Sequence, residues 1–120
     1  NTVMFSPKDI AVNVKNIIDL IRGNCPDTQI ILLSTLPCIE TLRDYHHVPG
    51  IRCNDLVAMI FKQYQELIID QKTTLLSVFD DFINSQNEAL VEYYQDGLHL
   101  NDKGYQHLTQ LITPVIEKYL

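Results

Sequence analysis

Three stretches of the chain repeat apolar residues at helical spacing, and two short apolar stretches without clear alternation lie between them. Ile10, Val14, Ile17, Ile18 and Ile21 form the first stripe, which predicts a helix with one face on a core. Ser6-Pro7-Lys8-Asp9 marks its start, with Ser6 as N-cap, Pro7 at the first helical position and Asp9 at the positive end of the helix dipole. Gly23 and Asn24 are expected to end this helix, and Pro26 prevents its continuation. Leu56, Val57, Ile60, Phe61, Tyr64, Leu67 and Ile68 give a second stripe over about Cys53 to Asp70. A third helix is expected from Asn101, burying Tyr105, Leu108, Leu111, Ile112, Val115 and Ile116, with a kink or a shifted turn at Pro114.

The run Ile30-Ile31-Leu32-Leu33 suits a strand covered on both faces, as in a parallel sheet layered with helices, and Thr73 to Phe79 is the next strand candidate. Cys38 to Ile51 reads as a long loop leaving the C-terminal end of the first strand, where open α/β sheets place their binding crevices. Asp80 to Gln95 reads as irregular or briefly helical. The order α-β-α-β-loop-α implies parallel crossovers and an α/β fold. Two strands leave sheet edges and faces open to water, so the chain is expected to be the C-terminal part of a larger α/β domain or to be completed by another chain.

Composition narrows the function classes. At 120 residues, with 46% hydrophobic and 20% charged residues, the chain has the make-up of one ordinary globular domain. A net charge of -6 without a Lys/Arg cluster argues against a phosphate-binding surface, and no nucleic-acid partner is expected. No apolar run approaches the roughly 18 residues that cross a bilayer, so no membrane span is expected. The start lacks the regions of a signal peptide, and its first residue is Asn, which fits a processed piece and leaves the compartment open. Cys25, Cys38 and Cys53 form an odd set without a Cys-x-x-Cys pair, and read as free thiols of a reducing, cytoplasmic setting. Cys38 and Cys53 flank a loop and would be the pair to join in an exported protein.

The chemistry concentrates in Asp96-Gly97-Leu98-His99-Leu100-Asn101. A His acting as general base needs its second ring nitrogen held by an acceptor that fixes tautomer and direction, and an Asp one short turn away supplies it. A surface Asp beside a surface His does little by itself. Here Gly97 and Asn101-Asp102-Lys103-Gly104 bracket the pair with turn-forming residues, placing His99 on a loop over a rigid scaffold. The available serines are Ser6, Ser34, Ser77 and Ser85. Ser34 lies near a strand end but lacks the turn that exposes a nucleophile, and is expected to bond backbone. His46, His47, Asp96 and His99 are the candidates for a metal, yet adjacent histidines rarely share one ion and no helix carries a ligating His spacing, so neither metal nor cofactor is expected. Tyr45, His46, His47 and Arg52 stand either as a solvated polar loop or as contacts to a substrate.

These residues resemble the SGNH, or GDSL, hydrolases, including the platelet-activating-factor acetylhydrolase-like branch. The block Asp96 to Asn101 followed by Gly104-Tyr105 is similar to the family's last block, and the first helix, Ile30 to Leu33, Leu36-Pro37 and Asn54 follow the family's order. The likeness runs along nearly the whole chain, and only Asp96 to Tyr105 is specific. It implies a flavodoxin-like three-layer α/β/α parallel sheet whose N-terminal strands are missing, with residues 1–120 as the C-terminal part of one domain. It also implies a Ser-His-Asp triad cleaving an ester or thioester, with His99 as general base and Asp96 as its orienting partner. The family's Gly-Asp-Ser nucleophile block and its oxyanion-hole Gly block are absent here, so the Ser is expected in an N-terminal segment or partner chain, and this chain alone is not expected to hydrolyse esters. Asn1 is either the oxyanion-hole Asn of a further block, with Thr2 for the usual Asp, or the residue after it. Tyr45 and His46 are the candidates to meet the leaving group of a small-molecule ester, a lipid or acylated sugar. The alternative is a catalytically inactive binding or interaction module.

Overall fold

The computed structural model describes residues 6–41 and 51–120. Helix α1 spans Pro7–Asn24, strand β1 Ile30–Leu33, helix α2 Cys53–Leu67, strand β2 Thr73–Leu76 and helix α3 Asp102–Glu117, with short 3-10 turns at Phe79–Phe82 and Val91–Tyr93. β1 and β2 pair in parallel with Leu32 opposite Leu75, so β1-α2-β2 is a crossover unit. The expected α/β architecture is present.

α1 begins as its sequence dictates. The Ser6 hydroxyl accepts the Asp9 N–H and the Asp9 carboxylate accepts the Ser6 N–H, which satisfies two orphan donors of the first turn. The helix ends at Asn24, where the sequence places the end, but not through a glycine cap. Gly23 stays helical, and the stop comes at Cys25, whose extended φ of -135° precedes Pro26. Arg22 secures that end by donating to the carbonyls of Cys25, Pro26 and Thr28 and to the Asp70 carboxylate. Asp70 also accepts the Thr73 hydroxyl, so one guanidinium ties the end of α1 to the start of β2. This explains why α2 stops at Leu67 and not at Asp70: Ile68 turns extended and stays buried, which frees Asp70 for Arg22.

Ala11 and Ile18 of α1, Tyr64 of α2 and Ile68 just past its end form a buried cluster, and Ile30, Leu32 and Leu75 pack against it from one sheet face. Side chains alternate across a strand, so Thr74 belongs to the other face. There its hydroxyl meets that of Tyr119, just beyond α3, at 2.8 Å. The residues after α3 thus reach the sheet face opposite α1 and α2. The buried seam of α1 is narrower than its apolar stripe: Ile17 remains 57% exposed. The same holds for α3, where Leu108 and Leu111 pack against Phe82, Tyr94 and Leu100 while Tyr105 and Ile116 are exposed. α3 continues through Pro114, which lacks an N–H.

β2 is shorter than the apolar run from Thr73 to Phe79. The Ser34 N–H closes the ladder on Leu76, and the Ser34 hydroxyl then accepts the N–H groups of Val78 and Phe79 at 2.9 and 3.0 Å. A buried side chain thus replaces the next ladder bonds and turns the chain into the 3-10 segment Phe79–Phe82. This is the backbone-bonding role expected of Ser34.

Candidate active site

The Asp96–His99 turn is the tip of a narrow loop. Tyr94 and Leu100 form an antiparallel bridge, and Gln95 N–H donates to the His99 carbonyl, so residues 94–100 fold back on themselves. Three contacts seat this loop. The Tyr94 hydroxyl donates to the Pro37 carbonyl, Ile39 N–H donates to the Gly97 carbonyl at 2.9 Å, and Asn101 N–H donates to the Tyr93 carbonyl at 2.9 Å. Pro37 and Ile39 belong to the segment leaving β1, which connects the turn to the C-terminal end of the sheet, where α/β folds present their sites.

Asn101 performs two tasks. Its Oδ1 accepts the Gly104 N–H at 2.8 Å and caps α3, while its Nδ2 donates to the carbonyls of Glu92 and Tyr94. Gly104 is buried, and a Cβ there would collide with the Tyr93 carbonyl oxygen and press on Leu100 at 3.0 Å. Helix and loop meet closely enough at this point to exclude any larger residue.

Within the turn, Asp96 Oδ1 accepts the N–H groups of Leu98 and His99 at 2.7 and 2.6 Å, and Oδ2 lies 2.9 Å from His99 Nδ1. The backbone bond from His99, its ring and the Leu98 N–H together hold the Asp96 carboxyl well below the usual carboxylate range. Asp96 is therefore an anion at neutral pH, and the bond it makes assigns the proton of neutral His99 to Nδ1. The His99 side chain is 61% exposed, and among the described residues its Nε2 has no hydrogen bond. The two residues thus present an oriented imidazole with a lone pair open to an incoming proton.

Of the other candidates, Asn1, Tyr45, His46 and His47 lie outside the described residues. Arg52 is described and is engaged elsewhere. Its guanidinium donates to Glu40 Oε1 and to the carbonyls of Gln86 and Asn87. Asn54, fully buried, accepts the Cys38 N–H and donates to the carbonyls of Cys38 and Asn87. These two residues tie the start of α2 to the segment after β1 and to the turn around Asn87, whose φ is 58°. Among the described residues, no three His, Cys, Asp or Glu side chains gather to hold a metal ion. A cleft of about 360 Å³ opens between Ile39, Glu40 and Leu90, and neither Asp96 nor His99 lines it.

The sequence places Asp96 and His99 side by side, as the structure does, but does not reveal the parts that seat them. Tyr94 carries no sequence signal beyond its apolar character. Asn101 had one, since Asn three residues before a helical Gly is an N-cap pattern, but its second bond to the loop is a tertiary feature.

The family model of GDSL-like lipases and acylhydrolases matches residues 2–107, which include both Asp96 and His99. The chain belongs to this family. A curated human relative, isoamyl acetate-hydrolyzing esterase 1 homolog, is 26% identical over 116 residues, covering 92% of this chain and 46% of that protein. Among solved structures, a Streptococcus pneumoniae protein provisionally described as a platelet activating factor superposes with a TM-score of 0.77 at 31% identity, over 91% of this chain and 51% of that one. A Bacteroides fragilis protein provisionally described as an acylhydrolase shares the fold, with a TM-score of 0.75 at 20% identity over 96% of this chain and 53% of that one. This GDSL family member thus spans about half the length of the relatives it matches.

Proposed function

We propose that the complete protein is a serine hydrolase that cleaves a carboxylic ester or thioester, and that residues 1–120 are the C-terminal part of its single domain, supplying the base and its orienting acid. The carrying observation is the 2.9 Å contact between Asp96 Oδ2 and His99 Nδ1 beside an exposed Nε2. On this reading a Ser from the N-terminal half, joined to this chain or separate from it, attacks the substrate carbonyl. His99 Nε2 takes its proton, and the Asp96 anion stabilises the imidazolium that forms. The same proton then passes to the leaving alkoxide or thiolate. Ser34 is not that nucleophile, because its hydroxyl is buried and committed to Val78 and Phe79.

The substrate is a small ester of a lipid or acylated sugar, with Tyr45 and His46 toward its leaving group and Asn1 as a donor to the oxyanion. One such donor is worth about 3 kcal/mol of transition-state stabilisation.

A fluorophosphonate probe applied to the full-length protein tests the reading by intact mass. One label on a Ser outside this chain is expected, and His99→Ala should abolish both labelling and ester turnover while the circular dichroism spectrum is retained. A folded His99→Ala protein that turns over ester at the original rate would remove His99 from the mechanism. A folded full-length protein that takes no label and cleaves no ester would instead identify a binding module.

A further inference from the structure

Cys38 and Cys53 stand at the two ends of a loop whose ends are held together. The backbone of Cys38 is clamped by Asn54, with its N–H on Oδ1 at 2.9 Å and its carbonyl on Nδ2 at 3.0 Å. Cys53 is the first residue of α2 and the neighbour of Asn54. Glu40 adds a second clamp by accepting from the Arg52 guanidinium and the Asn54 N–H. The clamps bring the backbone of Cys38 to the start of α2, where its thiol and that of Cys53 perturb each other. Both are free, Cys38 buried and Cys53 half-buried. Cys38 also lies between the two anchors of the His99 turn, since Pro37 holds Tyr94 and Ile39 holds Gly97.

We propose that Cys38 and Cys53 form a reversible dithiol–disulfide site that takes a small-molecule disulfide as oxidant and passes its redox state to the Asp96–His99 turn. The more accessible Cys53 loses its proton to solvent, and its thiolate attacks one sulfur of the small disulfide. That S–S bond breaks, a mixed disulfide forms on Cys53, and the first small thiolate departs and is protonated. Cys38 then loses its proton, and its thiolate attacks the Cys53 sulfur, joining the pair and expelling the second small thiolate. The protein loses two electrons and two protons, and the small disulfide is reduced to two thiols. Burial, the Cys53 thiol and Glu40 push the Cys38 thiol up to about 12, and burial likewise raises that of Cys53. With few thiolates present at neutral pH the exchange is slow, so the site answers sustained oxidation. The inference does not depend on ester hydrolysis.

The test uses the full-length protein in buffers of graded oxidised-to-reduced glutathione ratio, followed by acid quench, alkylation and non-reducing peptide mapping. The expected product is one cross-linked peptide joining Cys38 to Cys53, about 2 Da below the sum of its parts and restored by dithiothreitol. Separate glutathione adducts on the two residues without a cross-link, or reaction only after unfolding, would overturn the site. Imidazole NMR of the same samples tests its reach: the His99 resonances should shift on oxidation of the unsubstituted protein and stay still in Cys53→Ser. Unmoved His99 resonances in the oxidised, cross-linked protein would overturn the coupling, and this comparison needs no variant to fold.

Discussion

Asp96 is both the fold and the chemistry of its turn. One oxygen holds two backbone N–H groups and the other meets the His99 ring, so its charge is stabilised by bonds that form only in the folded loop. Because the folded carboxyl sits below its ordinary pKa, its contribution to stability is complete above about pH 4 and is lost as pH falls through the lowered value. Carbon-detected NMR titration of the Asp96 carboxyl should therefore show a midpoint below about 3.9, the value of an unperturbed Asp. A midpoint at that ordinary value would contradict the bonding described. Asp96→Asn retains an acceptor for the two N–H groups but presents an amide where the ring needs an anion. Under the proposed mechanism, ester turnover by the full-length protein should fall by about 10⁴-fold without loss of fold, as expected when a base is held in the wrong tautomer.

Elements here begin and end at single polar side chains, some bonded locally and some far along the chain. Ser34 ends β2, Arg22 with Asp70 ends α1 and shortens α2, and Asn101 starts α3 while gripping the loop before it. Local signals anticipated the Ser6 N-cap and the Asn101 start, because a cap is a bond within four residues. They did not anticipate the ends of β2 and α2, which depend on partners more than forty residues away. The junction of α3 with its preceding loop is the tightest such point. Gly104→Ala should lower stability by about 1–3 kcal/mol in urea unfolding, since the added methyl meets the Tyr93 carbonyl and Leu100 rather than open space. Gly23→Ala, a position with nothing near its missing Cβ, should be neutral or slightly stabilising in the same assay, which separates crowding from loss of a glycine.

Across the whole chain, apolar surface remains where the sequence pattern asked for burial. Every residue of β1 and β2 is only half-buried, and Ile17 and Leu20 of α1 face outward. With a span of about half its relatives, this pattern fits a sheet that continues into the other half of the domain. Hydrogen exchange makes that continuation measurable. Strand amides outside the β1–β2 ladder should exchange at least about tenfold more slowly in the full-length protein than in residues 1–120 alone. Equal rates in the two would argue that the sheet ends at these strands.

The sequence by itself determined what short-range physics controls: helices read from 3.6-residue spacing, a strand read from an unbroken apolar run, and an Asp and a His close enough along the chain to bond. It also carried the family block from Asp96 to Tyr105, whose turn is local in the same sense. Only the tertiary structure decided where the elements stop, why Gly104 has room for nothing larger, and how Tyr94 and Ile39 fix the turn against the end of β1. Those outcomes rest on contacts between residues far apart in the chain, and such contacts exist only after the sheet and its helices have packed.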